Sequence, residues 1–269
     1  MNIINIDGLI RKVASEWNEL SKSDLMWLMN RMEHLLKPSY EFRLRMMLRL
    51  LNVQWWRIFT QKKLMNIPVE EASYLSNIVD WAFPAEKVSL TKNHFRTKWV
   101  LFRKMIGPAD GLKNLTLAEF SFADFHFRQY MSTQDENELN KLCAVLWRVK
   151  GNKLDVNDVG FRNDKRSIFN SYAINENSKR YKWTSKKYKY FVLMFFWGCR
   201  NHFVKTYPSV FSSGNASKST GLDLGWVNVM FELSGSKFGT LDETSKQDLT
   251  TILLFLENSL LNQKTTTNE

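Results

Sequence analysis

Cysteine is scarce in this 269-residue chain. Cys143 and Cys199 are the only two, too few for a disulfide framework, and both thiols are expected to be reduced in a cytosolic setting. Long apolar runs are missing. The most apolar stretch, 190–199, is closed by Lys189 and Arg200, while a membrane-spanning helix needs about 20 apolar residues. No span is expected. A secretory leader is not apparent either, because Met1-Asn-Ile-Ile-Asn-Ile-Asp7 meets an acid before any basic residue. With 44% hydrophobic and 24% charged residues, wholesale disorder and collagen-like structure are excluded.

Reactive clusters are also missing. The four histidines, His34, His94, His126 and His202, lie far apart. Cys199 and His202 stand one helical turn from each other, but no second Cys/His pair completes a zinc site of four ligands. As a nucleophile pair they compete with a commoner fate, a buried thiol near a satisfied imidazole. Asp124 and His126 fall on different sides of a helix. Gly235-Ser-Lys-Phe-Gly239 and Gly214-Asn-Ala-Ser-Lys-Ser lack the spacing of a phosphate loop, and no dinucleotide, esterase or zinc-protease motif occurs. We assign no catalytic residue, cofactor or metal ligand, and expect a protein that is not an enzyme.

What the chain does hold is rings and positive charge. Aromatics make up 14%, with ten Trp and nineteen Phe, and 38 Lys+Arg against 27 Asp+Glu give +11. So many rings mean either an unusually aromatic core or a surface buried only in an assembly.

The pattern is mainly helical. It predicts an irregular multi-helix bundle with one small β-hairpin around residues 88–104, where 88–90 and 98–102 read as strands more readily than as a helix. Helices are expected over 23–37, 39–62, from Pro68 to about 83, 117–131, 134–148, 185–206 and 225–233, with a last one capped by Asp242. Thr116-Leu-Ala-Glu119 and Thr133-Gln-Asp-Glu136 read as capping boxes. Gly107-Pro-Ala-Asp-Gly111 is a turn cluster. It suggests an N-terminal helical region 1–106 and a C-terminal one 107–269, free to pack as a single domain.

Two surfaces stand out. In helix 39–62 one face is wholly apolar. The opposite arc mixes arginines with apolar groups, and Arg45, Arg49, Val53, Trp56 and Arg57 form a candidate protein-binding surface; the bland alternative is packing against another helix of the same domain. The second surface lies in 150–189, where eleven Lys/Arg and four acids give +7. Within it Lys179, Arg180, Tyr181, Lys182, Trp183, Lys186, Lys187 and Tyr188 interleave cations with rings, a composition able to contact phosphates and stack on unpaired bases.

Several segments, taken together, resemble a family of proteins encoded in the tail morphogenesis region of tailed phages, prophages and related tail-like gene clusters. They are Trp17-Asn-Glu-Leu-Ser with Asp24-Leu, 107–120 (GPADGLKNLTLAEF), 139–148 (LNKLCAVLWR), Tyr207-Pro-Ser-Val-Phe211, and Gly225-Trp with Phe238-Gly-Thr-Leu-Asp242. The likeness covers most of the chain, in islands. It implies a helical, non-catalytic assembly protein, of the tail assembly chaperone kind. The implied partners are other phage or tail-like structural proteins, and the implied location is the host cytosol or an assembled particle. Nucleic acid is the alternative partner. The likeness implies no oligomeric state and supplies no catalytic residue.

Overall fold

Short polar side chains at helix starts decide much of the local architecture, because each can satisfy an orphan N–H of the first turn. Ser21, Ser39, Thr116, Asp135 and Thr240 do so, accepting from the N–H of Asp24, Phe42, Glu119, Asn137 and Glu243. The structure is a computed structural model, and it describes residues 1–6, 9–51, 77–83, 87–151, 164–212, 225–235 and 237–266. In chain order the elements are β1 (Asn2–Ile6), β2 (Leu9–Val13), α1 (Lys22–Met29), α2 (Met32–Leu36), α3 (Tyr40–Leu50), β3 (Thr97–Val100), β4 (Arg103–Ile106), α4 (Leu117–Thr133), α5 (Glu136–Leu146), β5 (Arg148–Val149), α6 (Ile174–Ser178), α7 (Lys186–Thr206), α8 (Pro208–Ser212), α9 (Trp226–Leu233), α10 (Leu241–Lys246) and α11 (Leu249–Thr266). The fold is mainly α, as the pattern predicts. No helix among the described residues is long and apolar enough to cross a membrane.

The chain forms two units. One comprises Met1–Thr91 with Lys186–Asn201, and the other Lys92–Ser185 with His202–Glu269. The division therefore differs from the boundary expected at 106/107. Gly107 belongs inside the second unit: its N–H donates to the Arg96 carbonyl at 2.8 Å, closing the end of the β3–β4 hairpin.

In the first unit β1 and β2 form an antiparallel hairpin, with Asn2 opposite Val13 and Ile6 opposite Leu9. Sequence reading did not anticipate it. The core is aromatic. Trp17 meets Trp81 edge-on at 5.9 Å, and Phe42 stacks on Trp27 at 5.8 Å and meets Phe83 edge-on at 6.2 Å. The 186–201 stretch of α7 contributes Phe191, Phe195 and Phe196, all fully buried. This is the interior role its all-round apolar pattern predicts. Segment 88–90 is not a strand. Its carbonyls are taken by side chains instead, Ser89 by the Asn18 amide at 3.1 Å and Val88 by the Asn201 amide at 3.0 Å. The expected helix 23–37 is broken into α1 and α2 at Asn30-Arg31. Of the helix expected over 39–62, Tyr40–Leu50 is described; the remainder and the helix expected after Pro68 lie outside the described residues.

In the second unit α4 and α5 pack together after a left-handed turn at Gln134 (φ 57°). Strands β3, β4 and β5 form an antiparallel sheet in that order. Residues 165–167 run along the outer side of β5: the Gly151 N–H donates to the Lys165 carbonyl at 3.0 Å, and the Ser167 N–H to the Val149 carbonyl at 2.8 Å. Helices α9, α10 and α11 lie against α4. Only half of the expected capping box at Thr116 forms, because the Glu119 carboxylate is engaged elsewhere. The box expected at Thr133 is replaced by Asp135, and a complete one forms at Thr240 and Glu243. The latter caps the short α10, so the helix attributed to Asp242 is two helices, α10 and α11.

Candidate binding face

The described part of the α3 arc read as a binding surface is used within the fold in part. Phe42 and Met46 are buried. Arg45 pairs with Glu41 at 2.5 Å, and Arg49 with Asp24 at 2.9 Å. Arg49 also lies over the Trp27 ring, 5.4 Å from its centroid. Packing within the unit accounts for Phe42, Met46 and Arg49, while Arg45 stays exposed. Val53, Trp56 and Arg57 lie outside the described residues.

The basic aromatic segment 179–190 is split in its roles. Tyr181 is fully buried, its hydroxyl donating to the Trp147 carbonyl at 2.5 Å, and burial pushes its pKa well above the usual tyrosine value. Tyr188 and Lys189 are buried in α7. Lys179 is paired with Glu176 at 2.7 Å, and Arg180 donates to Asn177 at 3.1 Å. Lys182, Lys186 and Lys187 are exposed, and Trp183 is the one ring of the segment that stands clear, 80% exposed.

Sequence reading missed a stronger arrangement in the second unit. In β3 and β4 side chains alternate between faces. Val100 and Met105 point into the core. The other face carries Thr97, Trp99, Lys104 and Ile106, with Trp99 directly opposite Lys104. Trp99 is 66% exposed. The two strands are joined at Leu101 and Phe102, both with positive φ (44° and 63°) and exposed by 49% and 98%. Two-residue hairpin turns with positive φ at both positions strongly favour Asn-Gly or Asp-Gly. Leucine and phenylalanine are poor residues for that backbone, and Phe102 at 98% exposure gains nothing by burial.

Beside this face lies a cleft of about 540 Å³, whose charged and polar walls are Arg96, Lys104, Asn114, Lys150, Asp164 and Lys165. Through Asp164 the cleft adjoins a buried charge network. Arg148 donates to Glu119 Oε1 at 2.7 Å, and Arg166 donates to Glu119 Oε2 at 2.9 Å and to Asp164 Oδ2 at 2.6 Å. Two guanidinium groups against two carboxylates leave the network neutral. Arg96 is paired with Asp110 at 2.7 Å. Lys104, Lys150 and Lys165 have no carboxylate partner among the described residues, so among these residues the cleft wall carries an excess of positive charge. Lys150 and Lys165 belong to the basic stretch singled out in the sequence. Lys104 and Trp99 could have been found only from the strand register.

The remaining reactive candidates do not assemble. Cys199 is buried, and its thiol faces the Leu90 carbonyl at 4.0 Å; His202 is exposed. Asp124 pairs with Arg128 at 3.0 Å. His126 Nδ1 lies 2.6 Å from Glu138, and burial holds the imidazole below its ordinary pKa, so at neutral pH this contact is a hydrogen bond from a neutral ring. Among the described residues no group of three or more His, Cys, Asp or Glu side chains is placed to hold a metal ion. Compared with known proteins, the chain matches no family model, no curated protein and no solved structure.

Proposed function

We propose that this is a non-catalytic assembly or interaction protein, serving a phage or phage-tail-like particle as a tail assembly chaperone. One observation carries the binding part of this reading, the Leu101-Phe102 tip. A left-handed residue with a side chain costs roughly 1–2 kcal/mol, and strained backbone of this kind concentrates at ligand clamps and contact sites. Two such residues, apolar and exposed at the end of a projecting hairpin, suit insertion into a partner's pocket, where an aromatic anchor supplies much of the binding energy. The tail role rests on the sequence resemblance.

The test is co-expression with the long helical proteins encoded beside this chain, followed by pull-down. Capture of a tail protein is expected from the native chain and is expected to fall at least tenfold in Leu101→Ser/Phe102→Ser. Equal capture by a folded variant would remove the hairpin tip from the proposal; no capture of any neighbouring tail protein would remove the chaperone role. The alternative, nucleic-acid binding through 179–190, has less support, since only Trp183 among its four rings is exposed.

A further inference from the structure

The face of β3 and β4 and the cleft beside it call for a ligand independently of the hairpin tip. Lys104, Lys150 and Lys165 all line one cleft. They come from separate stretches of chain and are gathered by pairing: β4 aligns with β5 through Met105 and Val149, and Lys150 is the bridge partner of Arg166. Among the described residues none of the three is paired with a carboxylate. Cations gathered along one cleft favour an anionic ligand there. The buried network of Arg148, Glu119, Arg166 and Asp164 holds the two backbone segments that carry Lys150 and Lys165, so this part of the cleft wall is in place before a ligand arrives.

The second component is the ring. Trp99 stands opposite Lys104 on the same face with two thirds of its surface open to solvent. Cations that follow a phosphate backbone, next to an open aromatic face, are the elements by which proteins hold unpaired nucleotides. An acidic peptide would use the charges, but it would need an aromatic side chain beside its carboxylates to use the indole, whereas every nucleotide carries its own ring. A volume of about 540 Å³ falls within the range of sites that enclose small ligands, a scale suited to one nucleotide and its phosphates.

We propose that this face binds single-stranded nucleic acid, with phosphates against Lys104, Lys150 and Lys165 and a base stacked on Trp99. The site differs from segment 179–190, which the sequence favoured, and from the Leu101-Phe102 tip.

Fluorescence anisotropy of a labelled fifteen-residue oligo-dT with the full-length chain tests it. Binding at low salt is expected, with log K falling against log salt at a slope of about −2 to −3 for three or four phosphate contacts. Lys104→Glu/Lys150→Glu is expected to weaken binding by at least tenfold, and Trp99→Ala by about five- to a hundredfold. Lys182→Ala/Lys186→Ala/Lys187→Ala and Leu101→Ser/Phe102→Ser are expected to bind as the native chain does. Circular dichroism shows whether each variant is folded, and single Lys104→Gln and Lys150→Gln variants replace the double one if it is not. The proposal is overturned if oligo-dT does not bind, if the cleft variants bind normally, or if only the 182/186/187 variant loses binding. It is also overturned if polyglutamate competes as well as oligo-dT and Trp99→Ala has no effect, which would make an acidic protein segment the occupant.

Discussion

The guanidinium of Arg166 is fully buried and donates to the carboxylate of Glu119 at 2.9 Å, while the other oxygen of that carboxylate accepts from Arg148 at 2.7 Å. Glu119 is thus the single anion between two buried cations, with Asp164 at their other side. Removing one partner of a buried ion pair leaves an uncompensated charge, which costs about 3–5 kcal/mol. Glu119→Gln is expected to lower stability by that amount in urea unfolding, and to loosen the Arg166–Asp164 pair beside the cleft. A midpoint equal to the native chain's would show that the network contributes little.

The hairpin tip should respond in the opposite direction. Replacing Leu101-Phe102 by Asn-Gly supplies residues suited to positive φ at both positions. The double variant is expected to gain about 1–2 kcal/mol by relieving left-handed strain, visible as a higher thermal midpoint. An unchanged or lower midpoint would contradict the strain argument.

His126 gives a pH dependence with a definite sign. Burial holds its pKa below the ordinary 6.5, against the opposing pull of Glu138. The unfolded chain therefore takes up this proton at higher pH than the folded chain, so stability present above about pH 6.5 is lost as the solution is acidified. Burial pushes Glu138 up, but Lys141 and His126 outweigh it and hold the carboxyl below its ordinary 4.5. Its contribution is present above that value and is lost as pH falls through the lowered pKa. Between pH 7.5 and 5.5 the native chain should lose stability, and His126→Asn, which keeps a donor for the carboxylate without titrating there, should show a flatter profile. Parallel profiles would rule out His126 as the cause.

Gly198 tests the packing of α7. A Cβ at this position would stand 2.4 Å from both the backbone N and O of Leu90, and backbone cannot rotate away as a side chain can. Overpacking of this kind costs about 1–3 kcal/mol, and more where the neighbour is fixed. Gly198→Ala is expected at or above the upper end of that range, measured by chemical unfolding.

How far the sequence discloses this molecule depends on the range of the interactions. Helix α7 was legible because rings surround it on every side, a local pattern. The hairpin near 97–106 was legible as strand composition, but its register was not: Leu101 and Phe102 carry no turn signal, since the residues a turn of this type prefers are absent. Segment 88–90 was misread because its partners, Asn18 and Asn201, lie 71 and 113 residues from the carbonyls they bind. Half of the Thr116 capping box failed for a similar reason: Glu119 is drawn to Arg148 and Arg166, 29 and 47 residues away. The candidate cleft was hidden because Lys104, Lys150 and Lys165 meet only through strand pairing, whereas the rings of 179–190 advertised a surface that Tyr181 and Tyr188 do not provide.

The first unit needs residues 186–201 to complete itself, although its other residues end at Thr91. On the ribosome, at about 5–20 residues per second, the N-terminal segment therefore waits several seconds for Phe191, Phe195 and Phe196 to emerge. Its greasy interior stays open through that interval. A nascent chain halted before Lys186 would be sticky and open to proteolysis.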